Sequence, residues 1–206
     1  MPNNLKNIRF AILGSTNGSI VPDLVSGIKE LEIDLGINLE IPVLISNKSN
    51  AGILEKAKLL NIKSEICLAN KLNNKLNRNQ YDKNLDLILS DYKIDYILLV
   101  GFMRILSASF CEKWENKILN IHPSLLPKYQ GLMDLSVHQA VLDNKDKQTG
   151  CSVHFVTSDV DAGPVVSQKK VLVSPDDNAD ELKKRVQGQE VDCYLDAIKI
   201  LLNKIC

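Results

Sequence analysis

Asn120 and His122 stand two residues apart at the end of an apolar run, Ile118-Leu119-Asn120-Ile121-His122-Pro123-Ser124-Leu125-Leu126-Pro127. Strand side chains alternate with a period of two, so an amide donor and an imidazole share one face. The run predicts a short buried strand whose exit is stiffened by two prolines that fix φ. Open α/β sheets keep their ligands at the carboxyl ends of strands. Asn-x-His alone also fits a structural or capping role. A third polar group, Asp161, closes a later strand in Ser158-Asp159-Val160-Asp161-Ala162-Gly163-Pro164. A carboxylate beside an imidazole orients it and raises its pKa, which suits proton transfer near neutrality. An amide N–H beside a cationic ring is what a developing tetrahedral oxyanion needs. Ser124 lacks a G-x-S-x-G elbow and no cysteine has an obvious partner, so no activated nucleophile is apparent. The three histidines are not at metal-ligand spacing. Asn120, His122 and Asp161 together imply acyl transfer to an amine with neither a covalent enzyme intermediate nor a metal. His154, in the alternating run 151–156, reads as a packed histidine or a partner to these groups.

The surrounding chain alternates strands with helices. Apolar runs at 8–13, 41–46, 62–68, 94–100, 151–156 and 165–173 predict strands. Helical spacing appears at 21–31, 51–60, 81–92, 107–115 and 135–142, with one long final helix over 179–202. This alternation predicts a doubly wound, mostly parallel α/β sheet in a single domain over 1–206. The first strand runs into Gly14-Ser15-Thr16-Asn17-Gly18-Ser19 and then a helix. That layout converges backbone N–H groups on an anion, and it fits a plain tight turn equally well. The Asn/Lys-rich stretch 70–79, with Arg78 just ahead of the next helix, reads as a mobile surface loop.

Lys plus Arg number 25 against 25 Asp plus Glu. That balance carries no electrostatic footprint for nucleic acid or an anionic membrane. The five cysteines are scattered without a C-x-x-C pair, as small hydrophobes in a reducing compartment. The start lacks a secretory pattern, and the apolar run 96–103 is too short to span a bilayer. The expectation is a cytoplasmic protein, monomeric or weakly dimeric.

Gly101-Phe102-Met103-Arg104-Ile105-Leu106, the stretch from Leu119 to Tyr129, Ser152-Val153-His154-Phe155-Val156 and Asp159-Val160-Asp161-Ala162-Gly163-Pro164 resemble the phosphoribosylglycinamide formyltransferases of purine synthesis. The likeness covers nearly the whole chain. It implies a Rossmann-like formyltransferase fold, with a nucleotide-phosphate half to about residue 105 and a catalytic and folate half beyond it. It leaves no room for the extra domains of formyl-hydrolysing or methionyl-tRNA-formylating relatives. The implied reaction moves a formyl group from 10-formyltetrahydrofolate, as co-substrate, to the amine of glycinamide ribonucleotide. Asn120 would hold the oxyanion, His122 would share its charge as imidazolium, and Asp161 would keep His122 charged and relay the amine's proton. The resemblance places folate against Arg78, Phe102, Met103, Arg104, Ile105, Leu106, Asn120 and Val160. It places the ribonucleotide against Gly18, Ser19, Pro123, Gln187 and Glu190, the last two one helical turn apart. Without the resemblance, Met103, Ile105 and Leu106 read as core.

Three departures stand at the substrate end. Ile20 replaces an Asn common after Gly-Ser, Gln130 replaces a usual proline, and the segment 131–138 is longer than the common form. They leave open an amino sugar on a nucleotide as acceptor. A folate- or nucleotide-binding module without catalysis is the reading from another class.

Overall fold

The computed structural model describes residues 7–68, 71–72, 75–76 and 78–204. The chain forms two compact units, Met1–Leu119 and Asn120–Cys206. The first holds β1 (Asn7–Gly14), β2 (Asn38–Ser46), β3 (Lys63–Ile66), a hairpin of β4 (Lys71–Leu72) and β5 (Lys75–Leu76), and β6 (Tyr96–Leu99). Its helices are α1 (Val21–Leu35), α2 (Ile53–Leu59), α3 (Arg78–Asp91) and α4 (Ala108–Lys113). The strand order is β3-β2-β1-β6. Every pairing in it is parallel: Ala11 lies opposite Val43 and Ile97, and Val43 opposite Lys63. Parallel strands are covered on both faces and therefore read as continuous apolar runs. Phe10, Ile12, Leu13, Leu44, Ile45 and Ile97 are accordingly fully buried. Helix α1 takes Pro22 in its first turn and buries Leu24, Val25, Ile28 and Leu31.

β7 (Ile118–His122) crosses from the first unit into the second. The second unit continues with α5 (Leu135–Asp143), β8 (Gln148–Phe155), β9 (Val165–Leu172), α6 (Ala179–Gln187) and α7 (Glu190–Asn203). Strand order here is β7-β8-β9, with β8 and β9 antiparallel. The architecture is the doubly wound, mostly parallel α/β arrangement that the alternation predicts.

Two expectations are corrected. The stretch 70–79 is not simply a loop: Lys71 pairs with Leu76 and Leu72 with Lys75, antiparallel, and Arg78 opens α3, while residues 70, 73, 74 and 77 lie outside the described residues. The final helix is two. Gly188 closes α6, and the Gln189 N–H bonds to the Val186 carbonyl three residues back, at 2.9 Å, before the ladder resumes with Cys193 N–H to Gln189 O. A glycine costs a helix interior about 1 kcal/mol relative to alanine, which makes this the cheapest place to interrupt it. Among the described residues no helix is long and apolar enough to cross a membrane.

Candidate active site

The ends of β7 and β8 and the loop that follows β8 bring four polar side chains together in the second unit. Asp161 is the hub. Its Oδ2 lies 3.3 Å from His122 Nδ1 and its Oδ1 lies 3.6 Å from His154 Nε2, with only 12% of its side chain exposed. His154 Nδ1 lies 2.9 Å from the Phe155 carbonyl, to which it donates. Nε2 is then the acceptor for the Asn120 amide, 3.1 Å away. That bond turns the Asn120 nitrogen toward His154 and leaves its second N–H for a ligand. The period-two placement of Asn120 and His122 on one strand is what lets both reach this group. His154 is thus a partner to the catalytic candidates, not merely a packed ring.

The loop carrying Asp161 is shaped by local sterics. A Cβ on Gly163 would lie 1.9 Å from the Phe155 carbonyl oxygen, so only glycine lets the loop return this closely to β8. Phe155 N–H bonds the Pro164 carbonyl at 2.9 Å and Ala162 N–H bonds Asp159 O at 3.3 Å. Asp161 itself sits at φ 53°, a left-handed conformation that Asp tolerates better than most residues.

After His122 the chain is pinned by β8 and β9. Ser152 Oγ donates to the Ser124 carbonyl (2.6 Å), while Leu126 N–H and Gln168 Nε2 donate to that same hydroxyl. Ser124 Oγ is spent on the Lys128 carbonyl at 2.6 Å, in keeping with the absence of a serine nucleophile. The Leu126–Pro127 peptide is cis. Next comes a turn that side-chain chemistry does not advertise. Tyr129 accepts through its main-chain carbonyl from His122 Nε2 at 3.1 Å, and the Gly131 N–H donates to Asp161 Oδ2 at 3.0 Å. Two residues of one turn, separated only by Gln130, therefore hold both ends of the His122–Asp161 pair. Their contributions are main-chain atoms, and the one hint in the sequence is Gly131.

The sign of the His122 shift corrects an expectation. Burial pushes its pKa below the ordinary value, and the Asp161 carboxylate and Tyr129 carbonyl do not overcome that push. The ring is 3% exposed, so desolvation dominates. The 3.3 Å gap from Nδ1 to Asp161 is also long beside the about 2.7–2.9 Å of a charge-assisted bond. Burial raises Asp161, but the His154 ring, the His122 ring and the Gly131 N–H together bring its pKa below the ordinary carboxylate value. Both ring nitrogens of His122 face acceptors, Nδ1 the Asp161 carboxylate and Nε2 the Tyr129 carbonyl, so burial opposes the extra proton while these two groups are placed to hold it.

Other expected residues fall on both units. In the second, Pro123 is half-buried, directly after His122, and Val160 is exposed, directly before Asp161. Gln187 ends α6 and Glu190 begins α7, so they flank the helix break and do not share one helix. Burial pushes the Glu190 carboxyl up to about 7, with Cys193 adding to the shift and Lys183 opposing it. In the first unit, Gly18 is buried and Ser19 exposed just before α1, whose N-cap Ile20 offers no side-chain hydrogen bond. Arg78 is exposed. Phe102 and Leu106 are buried, whereas Met103 and Ile105 are about half exposed at 46% and 49% and are not core. The Met103 N–H is already donated to Ser15 Oγ at 2.8 Å, and the Arg104 guanidinium lies 4.0 Å from the centre of the Tyr81 ring. Among the described residues no group of His, Cys, Asp or Glu is placed to hold a metal ion.

Comparison with known proteins sets this geometry in a family. The formyl transferase family matches residues 8–198. The phosphoribosylglycinamide formyltransferase of Escherichia coli (strain K12) is 38% identical over 187 residues, 91% of this chain and 84% of that protein. The trifunctional purine biosynthetic protein adenosine-3 of Homo sapiens is 37% identical over 198 residues, 95% of this chain, which spans only 18% of that protein's length. The crystal structure of phosphoribosylglycinamide formyltransferase from Brucella melitensis is 35% identical, with a TM-score of 0.82 over 94% of this chain and 95% of that one. The chain belongs to the formyl transferase family, among the phosphoribosylglycinamide formyltransferases.

Proposed function

We propose that the protein transfers the formyl group of 10-formyltetrahydrofolate to the amine of glycinamide ribonucleotide. The observation that carries this reading is the Asp161 carboxylate set between His122 Nδ1 at 3.3 Å and the His154 ring that holds Asn120. The neutral amine attacks the formyl carbon, the new C–N bond forms, and the formyl oxygen becomes an oxyanion. The free N–H of Asn120 stabilises that oxygen. The proton lost by the amine passes to the Asp161–His122 pair, and the positive charge that builds on the ring counters the oxyanion. The same proton then goes to the departing folate nitrogen as its C–N bond breaks, which returns His122 to neutrality. In this reading Asp161 relays the proton and steadies the ring once it is charged.

The exposed side chains of Met103 and Ile105, with Arg78 and Arg104, serve the folate from the first unit, where Phe102 and Leu106 are buried, and Val160 serves it from the second. Gly18 and Ser19 serve the nucleotide phosphate, and Pro123, Gln187 and Glu190 the remainder of the ribonucleotide. Ile20 and the segment 131–138 favour an amino-sugar nucleotide as the alternative acceptor. A module that only binds would need no proton-transfer set. The test offers the formyl donor with each amine in turn and identifies the formylated product. Saturable formylation of glycinamide ribonucleotide is expected. Formylation of the amino sugar alone would reassign the acceptor, and no transfer to either amine would contradict catalysis.

A further inference from the structure

Gln130 has an exposed side chain, yet its Nε2 donates to the Val160 carbonyl at 2.8 Å, thirty residues away along the chain. The next residue's main-chain N–H donates to the Asp161 carboxylate at 3.0 Å. Two adjacent residues thus grip two adjacent residues of the Asp161 loop. The backbone that presents them is costly: Tyr129 at φ 62° and Gly131 at φ 77° are both left-handed, a conformation uncommon for a bulky residue such as tyrosine. It is over-determined by the Tyr129 hydroxyl, which donates to Asp146 at 2.9 Å and accepts from Asn144 at 3.2 Å, and by His122 on the Tyr129 carbonyl. The bonds inside the loop, from Thr157 Oγ1 and Ala162 N–H to the Asp159 carbonyl, shape it without tying it to the 129–131 turn.

We propose that Gln130 is a positioning residue of the formyl-transfer site, its side-chain amide clamping Val160 so that the Asp161 carboxylate is held against the His122 ring. The inference rests on the proton-transfer role assigned above to Asp161. A proline, the residue that the resemblance leads one to expect at this position, has no donor to make the clamp. Ordering a long exposed side chain costs rotamer entropy, and a neutral bond to a main-chain carbonyl offsets that cost only modestly. The clamp therefore acts on geometry and turnover, with little effect on stability.

Gln130→Met keeps the bulk and removes the donor; Gln130→Glu turns a carboxylate toward the Val160 carbonyl and adds a negative charge near Asp161. Steady-state kinetics of both in the full chain, with Asp161→Asn in parallel, separate the possibilities. In Gln130→Met, kcat is expected to fall about fivefold, the rate equivalent of one neutral hydrogen bond, while KM for the amine stays within about twofold. Gln130→Glu is expected to lose more, with its pH–rate profile displaced toward higher pH because a neighbouring like charge raises the pKa of the His122–Asp161 pair. Melting temperatures should match the parent. Parental kcat and pH profile in both Gln130 variants, beside an impaired Asp161→Asn, would overturn the clamp alone. Parental kcat in Asp161→Asn would overturn the proton-transfer role and the clamp with it.

Discussion

Exchanging His122 for Ala, or Asp161 for Asn, should each lower kcat by at least about a hundredfold, the usual scale for a lost general acid–base group. The double variant should lose little more than either single one, because residues that act as a unit are strongly non-additive. The reason lies in the Asp161–His122 contact of 3.3 Å, closed behind by Tyr129 and Gly131. A proton arriving on either group is held by both. Asp161→Asn keeps the shape and removes the charge, so a fall in kcat there reports electrostatics and not packing. Folate binding should largely survive, since its main surface is supplied by other residues. Steady-state kinetics of the three variants check this; independent, additive losses would mean that the two groups do separate work.

Asn120→Ala should cost about a hundred- to a thousandfold in kcat, as removal of a single oxyanion donor does elsewhere, with little change in KM for the formyl donor. The Asn120 amide is oriented by His154, whose own Nδ1 is fixed on the Phe155 carbonyl. The donor is therefore placed before the oxyanion forms and needs no reorganisation in the transition state. An equal loss in kcat/KM with unchanged binding, measured by titration with a folate analogue, is the expected pattern. A rise in KM with parental kcat would make Asn120 a ground-state binding residue.

Much of the site was legible before any coordinates. Period-two alternation put Asn120 and His122 on one face, whereas Asp161, expected at a strand end, lies in the loop between β8 and β9, six residues past Phe155. What could not be read came from the main chain and from burial. The Tyr129 carbonyl and the Gly131 N–H carry no side-chain signature. The His122 shift takes its sign from desolvation, which depends on what packs over the ring, so the carboxylate neighbour alone pointed the wrong way. The break between α6 and α7 was hidden because the apolar stripe stays in phase across it: Val186 and Cys193, seven residues apart, are both buried. In the run from Phe102 to Leu106, apolar but for Arg104, which apolar side chains face outward was undetermined; Met103 and Ile105 do.

The coupling of the buried His122 ring to Asp161 can be observed directly by following the imidazole nitrogens of His122 by NMR as pH is varied. The expected midpoint lies below the ordinary value of about 6.5, because burial outweighs the pull of Asp161. In Asp161→Asn that pull is gone, and the midpoint should fall further. A midpoint above about 6.5 in the parent protein would contradict the dominance of burial, and one indifferent to Asp161→Asn would contradict proton transfer by this pair.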